Sequence, residues 1–166
     1  FLAAKSPRIV SHILISMGDP SNPTDAEKQR VKAVEDALAS GQSFEQVALN
    51  LSEDTGTRAD SGLLGYIDSD DSTYDSGFKA GALATADGQV SGWVQSAYGW
   101  HLIKVDSTSF DGLKDNEDFI TAISKYYEND NLSGKTLLEK ADTMTITFTD
   151  PTMLDKIKEQ WGGTSN

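Results

Sequence analysis

Two short apolar runs, RIVSHILIS at residues 8–16 and GWHLIKV at 99–105, constrain this chain more than any other feature. Both are rich in β-branched residues and bounded by turn-forming residues, the signature of buried strands. Each holds one of the two histidines in the sequence. Side chains alternate faces along a strand, so His12 shares a face with Val10 and Leu14, and His101 with Ile103 and Val105. Both imidazoles therefore point where core residues point. If the two strands lie side by side, the rings meet in the interior, each using one nitrogen as donor and the other as acceptor. On pattern alone, a purely structural pair satisfies this arrangement.

Between and beyond these runs the chain alternates helices with strands. Thr24 with Glu27, and Ser43 with Gln46, form capping-box patterns. Ala26, Val34, Ala37 and Leu38 then predict a helix to about Gly41, and Phe44, Val47, Ala48 and Leu51 a second, shorter one. LLGYI at 63–67 reads as a strand, an acidic loop follows, and a short helix is expected around 78–83. Residues 88–105 read as two strands joined by a tight turn at Ala97, Tyr98 and Gly99. Strands interrupted by helices and closed by an antiparallel pair imply an α+β sheet with helices packed on it. After residue 110, Phe119, Ile120, Ile123 and Tyr127 lie at helical spacing. TMTITF at 143–148 then alternates as a half-buried strand, and a last helix through Leu154, Ile157 and Trp161 starts at Pro151 and stops at Gly162. This tail has too little apolar surface for a core of its own, so it is expected to dock or to self-associate.

A net charge of −12 disfavours nucleic acid and anionic lipid as partners. The absence of cysteine excludes thiol catalysis, disulfides and thiolate metal sites. No run approaches the ~20 apolar residues of a membrane helix. The chain opens at Phe1 without a signal-peptide pattern and is expected to be processed or excised from a longer protein. A serine hydrolase would need a nucleophile-elbow motif that is missing. The acidic run Asp68, Asp70, Asp71 and Asp75 lacks the glycine and terminal glutamate of an EF-hand, Lys79 standing at that last position, and reads as a solvated charge run.

SHILIS, GQSFEQVALNLSEDTG, GLLGYI and GFKAGALATADGQVSGWVQSAYGWHLIKV follow one another in an order and spacing that resembles the parvulin family of peptidyl-prolyl cis/trans isomerases, over residues 8–105. The tail resembles the C-terminal segment of the PrsA-type foldases of Gram-positive bacteria. The resemblance implies a parvulin fold, a four-stranded antiparallel sheet surrounded by helices, with a mainly helical C-terminal extension. It divides the chain into an irregular segment 1–7, an isomerase domain 8–107 and an extension 108–166 that is part of a chaperone region. It makes His12 and His101 the paired histidines of the active site, with Ser96 as the hydroxyl beside them and Asp54 where the family has cysteine or aspartate. Leu64 and Phe78 match the floor and wall of the proline pocket, and Tyr74 stands where methionine is common. Leu63 and Trp100 depart from the family pattern without removing a catalytic group.

The implied reaction breaks no bond, so no nucleophile, metal or cofactor is called for. The phosphate-selective branch carries a basic cluster after the first strand, whereas SMGDPSNPTDAE has no Lys or Arg, so no preference for phosphorylated substrates is expected. The implied partners are unfolded or newly secreted polypeptides containing X-Pro bonds. The implied address is extracytoplasmic, at the surface of a Gram-positive bacterium, with the parent protein anchored by lipid and self-association through residues 108–166. The alternative is a catalytically weak or inactive chaperone of the same fold that holds unfolded chains. Retention of His12, Asp54, Phe78 and His101 favours catalysis.

Overall fold

A computed structural model describes residues 1–129. The expected strand at 143–148 and the helix starting at Pro151 lie outside the described residues. Residues 1–120 form one compact unit and 121–166 belong to a second. The elements run α1 (Leu2–Lys5), β1 (Arg8–Ser16), α2 (Asp25–Ala39), α3 (Phe44–Leu51), β2 (Leu63–Ile67), α4 (Ser76–Ala84), β3 (Val94–Ser96), β4 (Gly99–Ser107), α5 (Phe110–Leu113) and α6 (Glu117–Asn129). A 3-10 turn at Arg58–Asp60 precedes β2. Residues 2–5, expected to be irregular, instead make one helical turn, ended by Ser6 in the left-handed conformation.

The strands form one antiparallel sheet in the order β2-β1-β4-β3, so the two histidine-bearing runs are its adjacent central strands. One face carries Ile13, Ile15 and Leu102 against Val31 and Val34 of α2 and Phe44, Val47 and Ala48 of α3. The other carries Val10, Ile103, Val105 and Ile67 against Phe78 and Ala82 of α4. Val10, Ile13, Ile103 and Val105 are fully buried, each contributing about 1.5–3 kcal/mol of burial free energy.

Both capping boxes form. The Thr24 hydroxyl accepts the Glu27 N–H while Glu27 accepts the Thr24 N–H, and Ser43 with Gln46 does the same. The buried stripe of α2 is Glu27, Val31 and Val34, with Ala37 and Leu38 at its edge; Ala26, expected inside, faces solvent. The hairpin differs from its sequence reading as well. Gly99 is not in the turn but already paired in β4, opposite both Ser96 and Ser16. Its φ is +147°, and a Cβ there would collide with the carbonyl of Ile15. The glycine is needed because β1 approaches closely, not because the chain turns.

Two glycines seat α4 on the edge of β3. A Cβ on Gly81 would lie 2.5 Å from a methyl of Val94, and one on Gly77 would collide with the carbonyl of Gln95. The Val94 methyls can rotate, whereas the Gln95 carbonyl is held in the backbone. Gly77→Ala should therefore cost about 1–3 kcal/mol despite the better helix propensity of alanine. The expected readout is a lower urea midpoint at unchanged slope; an unchanged midpoint would mean that α4 does not ride this close to the sheet.

Candidate active site

The register of β1 against β4 pairs His12 with Ile103 and Leu14 with His101, which sets the two histidines on one face as diagonal neighbours. Their ring centroids are 5.4 Å apart with planes 13° from parallel, and the two Nδ1 atoms face each other at 3.2 Å, so the rings meet edge to edge. Phe78, projected from α4, meets both rings edge to face, at 5.5 Å for His12 and 5.0 Å for His101. The three side chains are closed off from water, with exposures of 5%, 4% and 3% for His12, His101 and Phe78. Tyr74 lies 5.6 Å from Phe78, and Leu64 packs half-buried on the same cluster. Five of the residues expected in the site thus lie on one side of the sheet.

The loop after α3 brings Asp54 to His12 by completing an edge that β2 leaves open. β2 pairs with β1 only from Arg8 to Ser11. Beyond it, the Leu14 N–H donates to Ser52 Oγ (3.2 Å) and the Leu14 carbonyl accepts the Glu53 N–H (2.8 Å). The His12 N–H donates to the Gly62 carbonyl (2.8 Å). Residues 52–62 are thereby wrapped round the His12 ring. Gly62 has φ +85°, and a Cβ on it would run into the His12 carbonyl.

Burial disfavours charge on either ring, and with both rings neutral one arrangement of protons satisfies every contact. Asp54 Oδ2 lies 2.7 Å from His12 Nε2 and can only accept, so His12 carries its proton on Nε2 and offers Nδ1 as an acceptor. His101 must then donate from Nδ1, which leaves its Nε2 to accept the Ser96 hydroxyl at 2.6 Å. Ser96 Oγ in turn accepts the Tyr98 N–H at 3.1 Å. Both imidazoles are neutral, and all four ring nitrogens are used.

The electrostatics agree. Burial pushes the Asp54 carboxyl up, but hydrogen bonds from Thr57, His12 and the Gly56 N–H together outweigh it and hold the group below the usual carboxylate range. At neutral pH Asp54 is therefore an anion. Burial lowers His12, with Asp54 opposing. Burial and the neighbouring His12 lower His101 to about 4.

Sequence reading did not single out Thr57, whose hydroxyl lies 2.7 Å from Asp54 Oδ2 and 3.0 Å from His12 Nε2. The Asp-x-x-Thr spacing of DTGT was its only local trace. The departures from the family pattern fall elsewhere. Leu63 is 51% exposed. Trp100, on the opposite face from His101, gives its indole N–H to the Pro20 carbonyl (2.9 Å) and packs with Trp93 at 6.4 Å. The acidic run is engaged internally: Asp68 accepts the Tyr66 hydroxyl, Asp70 pairs with Lys5, and Asp75 caps α4. Among the described residues no cluster of three or more His, Cys, Asp or Glu side chains is arranged to hold a metal ion.

The histidines make stability depend on pH. Unfolded, His101 titrates near 6.5; folded, near 4. Between these values the unfolded chain binds the extra proton, so this contribution is full above about 6.5 and falls as pH drops toward about 4. His12 acts in the same direction, and Asp54 loses its contribution only at still lower pH. Urea midpoints should fall through this window, and His101→Gln should flatten the slope. A wild-type midpoint that stays level across it would contradict the buried neutral pair.

The family model for the rotamase, a PPIC-type PPIase domain, matches residues 12–107, more than half of the chain. A foldase protein PrsA of Clostridium botulinum is 36% identical over 113 residues, covering 64% of this chain and 31% of that protein. A foldase protein PrsA of Clostridium kluyveri is 38% identical over 95 residues, covering 57% and 25%. The crystal structure of PrsA from Bacillus subtilis superimposes with a TM-score of 0.52 at 25% identity, over 90% of this chain and 54% of that one. The chain spans under a third of the length of these curated relatives. With a family match that reaches from His12 to the end of β4 and includes both histidines, the chain belongs to the rotamase family of PPIC-type peptidyl-prolyl isomerase domains.

Proposed function

We propose that this chain rotates X-Pro peptide bonds in unfolded polypeptides without forming a covalent intermediate. The observation that carries this reading is the closed network from Asp54 through His12 and His101 to Ser96, buried under Phe78 and flanked by half-buried Leu64 and Tyr74. Amide resonance opposes rotation with a barrier of roughly 18–20 kcal/mol. A catalyst need only bind the twisted amide better than either planar form. Leu64 and Tyr74, supported by Phe78, hold the proline ring while the preceding residue turns. The planar amide places negative charge on its oxygen, and twisting withdraws it. An Asp54 anion beside that oxygen therefore disfavours the planar form relative to the twisted one.

The same geometry argues against other chemistry. A carboxylate that already accepts bonds from Thr57, His12 and Gly56 is a poor nucleophile. No ring nitrogen of His12 or His101 is left over to take a proton from a substrate. In this reading the histidines shape the site and Asp54 supplies the field. The loop after β1 carries no cation and is tied to β3 and β4 through Ser21–Gln95 and Pro20–Trp100, which favours unphosphorylated substrates.

The wider reading follows the relatives named foldase protein PrsA. Residues 8–107 act as the isomerase domain, and 108–166 form part of a chaperone region through which the protein self-associates. Its clients are newly secreted polypeptides, met at the surface of a Gram-positive bacterium, and lipid anchors the parent protein there.

Exchange NMR on an unphosphorylated X-Pro peptide tests the core of this reading. Wild type should speed exchange, and Asp54→Ala and Phe78→Ala of verified fold should each lose about tenfold or more, at least ~1.4 kcal/mol of barrier lowering. A phosphate on the residue before proline should not raise the rate. If wild type binds unfolded chains yet leaves exchange at its uncatalysed rate, the protein is a holding chaperone and the isomerase reading fails.

A further inference from the structure

We propose that Thr57 is a positioning residue of the site: its hydroxyl, donated to Asp54 Oδ2, fixes the carboxylate against His12 and so sets the order of protons through the histidine pair. Asp54 can only accept from it, so the Thr57 proton points at Oδ2 over 2.7 Å and the lone pairs of Thr57 Oγ1 face His12 Nε2 at 3.0 Å. His12 Nε2 lies 2.7 Å from the same Oδ2. The three atoms close a triangle in which each group restrains the other two.

Thr57 is itself held from behind. Its carbonyl accepts the Asp60 N–H at 3.0 Å and the Gly62 N–H at 2.9 Å, and the Gly62 carbonyl accepts the His12 N–H at 2.8 Å. The residue therefore grips His12 twice, at the backbone through Gly62 and at the ring through its hydroxyl. A β-branched side chain with a stiff χ1 suits that task. The other oxygen of Asp54 is occupied by the Gly56 N–H at 3.1 Å. Without Thr57, Oδ2 keeps His12 as its one remaining side-chain donor. The carboxylate is then held by two donors instead of three, and the Nε2–H tautomer of His12 loses its reinforcement.

The titratable groups that face this carboxylate are His12 on β1 and, one ring further, His101 on β4, which also feels Asp75 at the start of α4. Glu53, next in the chain, is turned to Arg30 of α2 at 2.9 Å. Removing a donor from the anion must raise the pH at which Asp54 takes up its proton.

For its effect on rate this role rests on the isomerase reading; for its effect on Asp54 and His12 it does not. The test uses the whole chain with Thr57→Ala and Thr57→Ser, following the carboxyl 13C titration of Asp54, the ring 15N shifts of His12 and X-Pro exchange. Thr57→Ala should move the Asp54 midpoint upward, mix the His12 tautomers, and lower the exchange rate about tenfold, with the acid-side fall in rate shifted to higher pH. Thr57→Ser should restore all three. An Asp54 midpoint and His12 tautomer that stay as in wild type in a folded Thr57→Ala protein would overturn the proposal, whether or not the rate changes. Should wild type prove inactive in exchange, the isomerase reading falls, while the titration and the tautomer still decide the role of Thr57.

Discussion

The antiparallel pairing of β1 with β4 is the constraint on which the rest of the structure depends. Strand side chains have a period of two, so slipping the register by one residue would send one histidine to the opposite face and break the ring contact. In the observed register His12 and His101 meet diagonally in an apolar interior of Val10, Ile67, Ile103, Val105, Phe78 and Ala82. Burying two imidazoles there is costly unless every nitrogen finds a partner. Here each one does, through Asp54, the second ring and Ser96. Among the described residues no buried side-chain polar atom lacks a partner. Such a network is stable only as a whole, because a missing member leaves an unsatisfied group in a low-dielectric setting.

The surrounding elements can be understood as devices for keeping that network in place. Gly99 lets β4 come up against β1, Gly62 lets the Asp54 loop lie against the His12 backbone, and Gly77 and Gly81 let α4 seat Phe78 on both rings. In each case a side chain on glycine would meet a backbone carbonyl or a packed methyl group. Ser52 and Glu53 take the Leu14 backbone groups that β2 does not reach, which ties the loop bearing Asp54 to the edge of β1. A rigid loop suits a site whose proposed contribution is a fixed field and a fixed apolar surface rather than a proton taken or given.

Much of this was legible in advance, and the reasons differ by residue. The capping boxes at Thr24 and Ser43 are local hydrogen-bond patterns, readable over four residues. The faces of His12 and His101 followed from strand alternation, which needs no partner to be known. The nomination of Asp54, Leu64, Tyr74, Phe78 and Ser96 came from resemblance alone, and their convergence around the histidine pair is a property of the fold. A glycine near a hairpin is a local turn signal, whereas the use of Gly99 here depends on a strand far away in sequence. Apolar character alone puts Ala26 in the buried stripe of α2, but the helix presents Glu27, Val31 and Val34 to the core. Thr57 escaped because a threonine in a polar loop carries no signal until the loop is wound round a ring.

By itself the sequence determined the two histidine strands, the strand at LLGYI, the helix starts at Thr24 and Ser43, that both histidines face inward, and that no thiol chemistry is available. Each of these rests on short-range periodicity, capping or composition. Only the tertiary structure decided that Asp54 is an anion, that the two rings are neutral and in one tautomeric order, and that Thr57 joins them. Protonation depends on the balance between burial and hydrogen bonds from residues distant in the chain, and that balance does not exist until β1, β4 and the loop at 52–62 have come together.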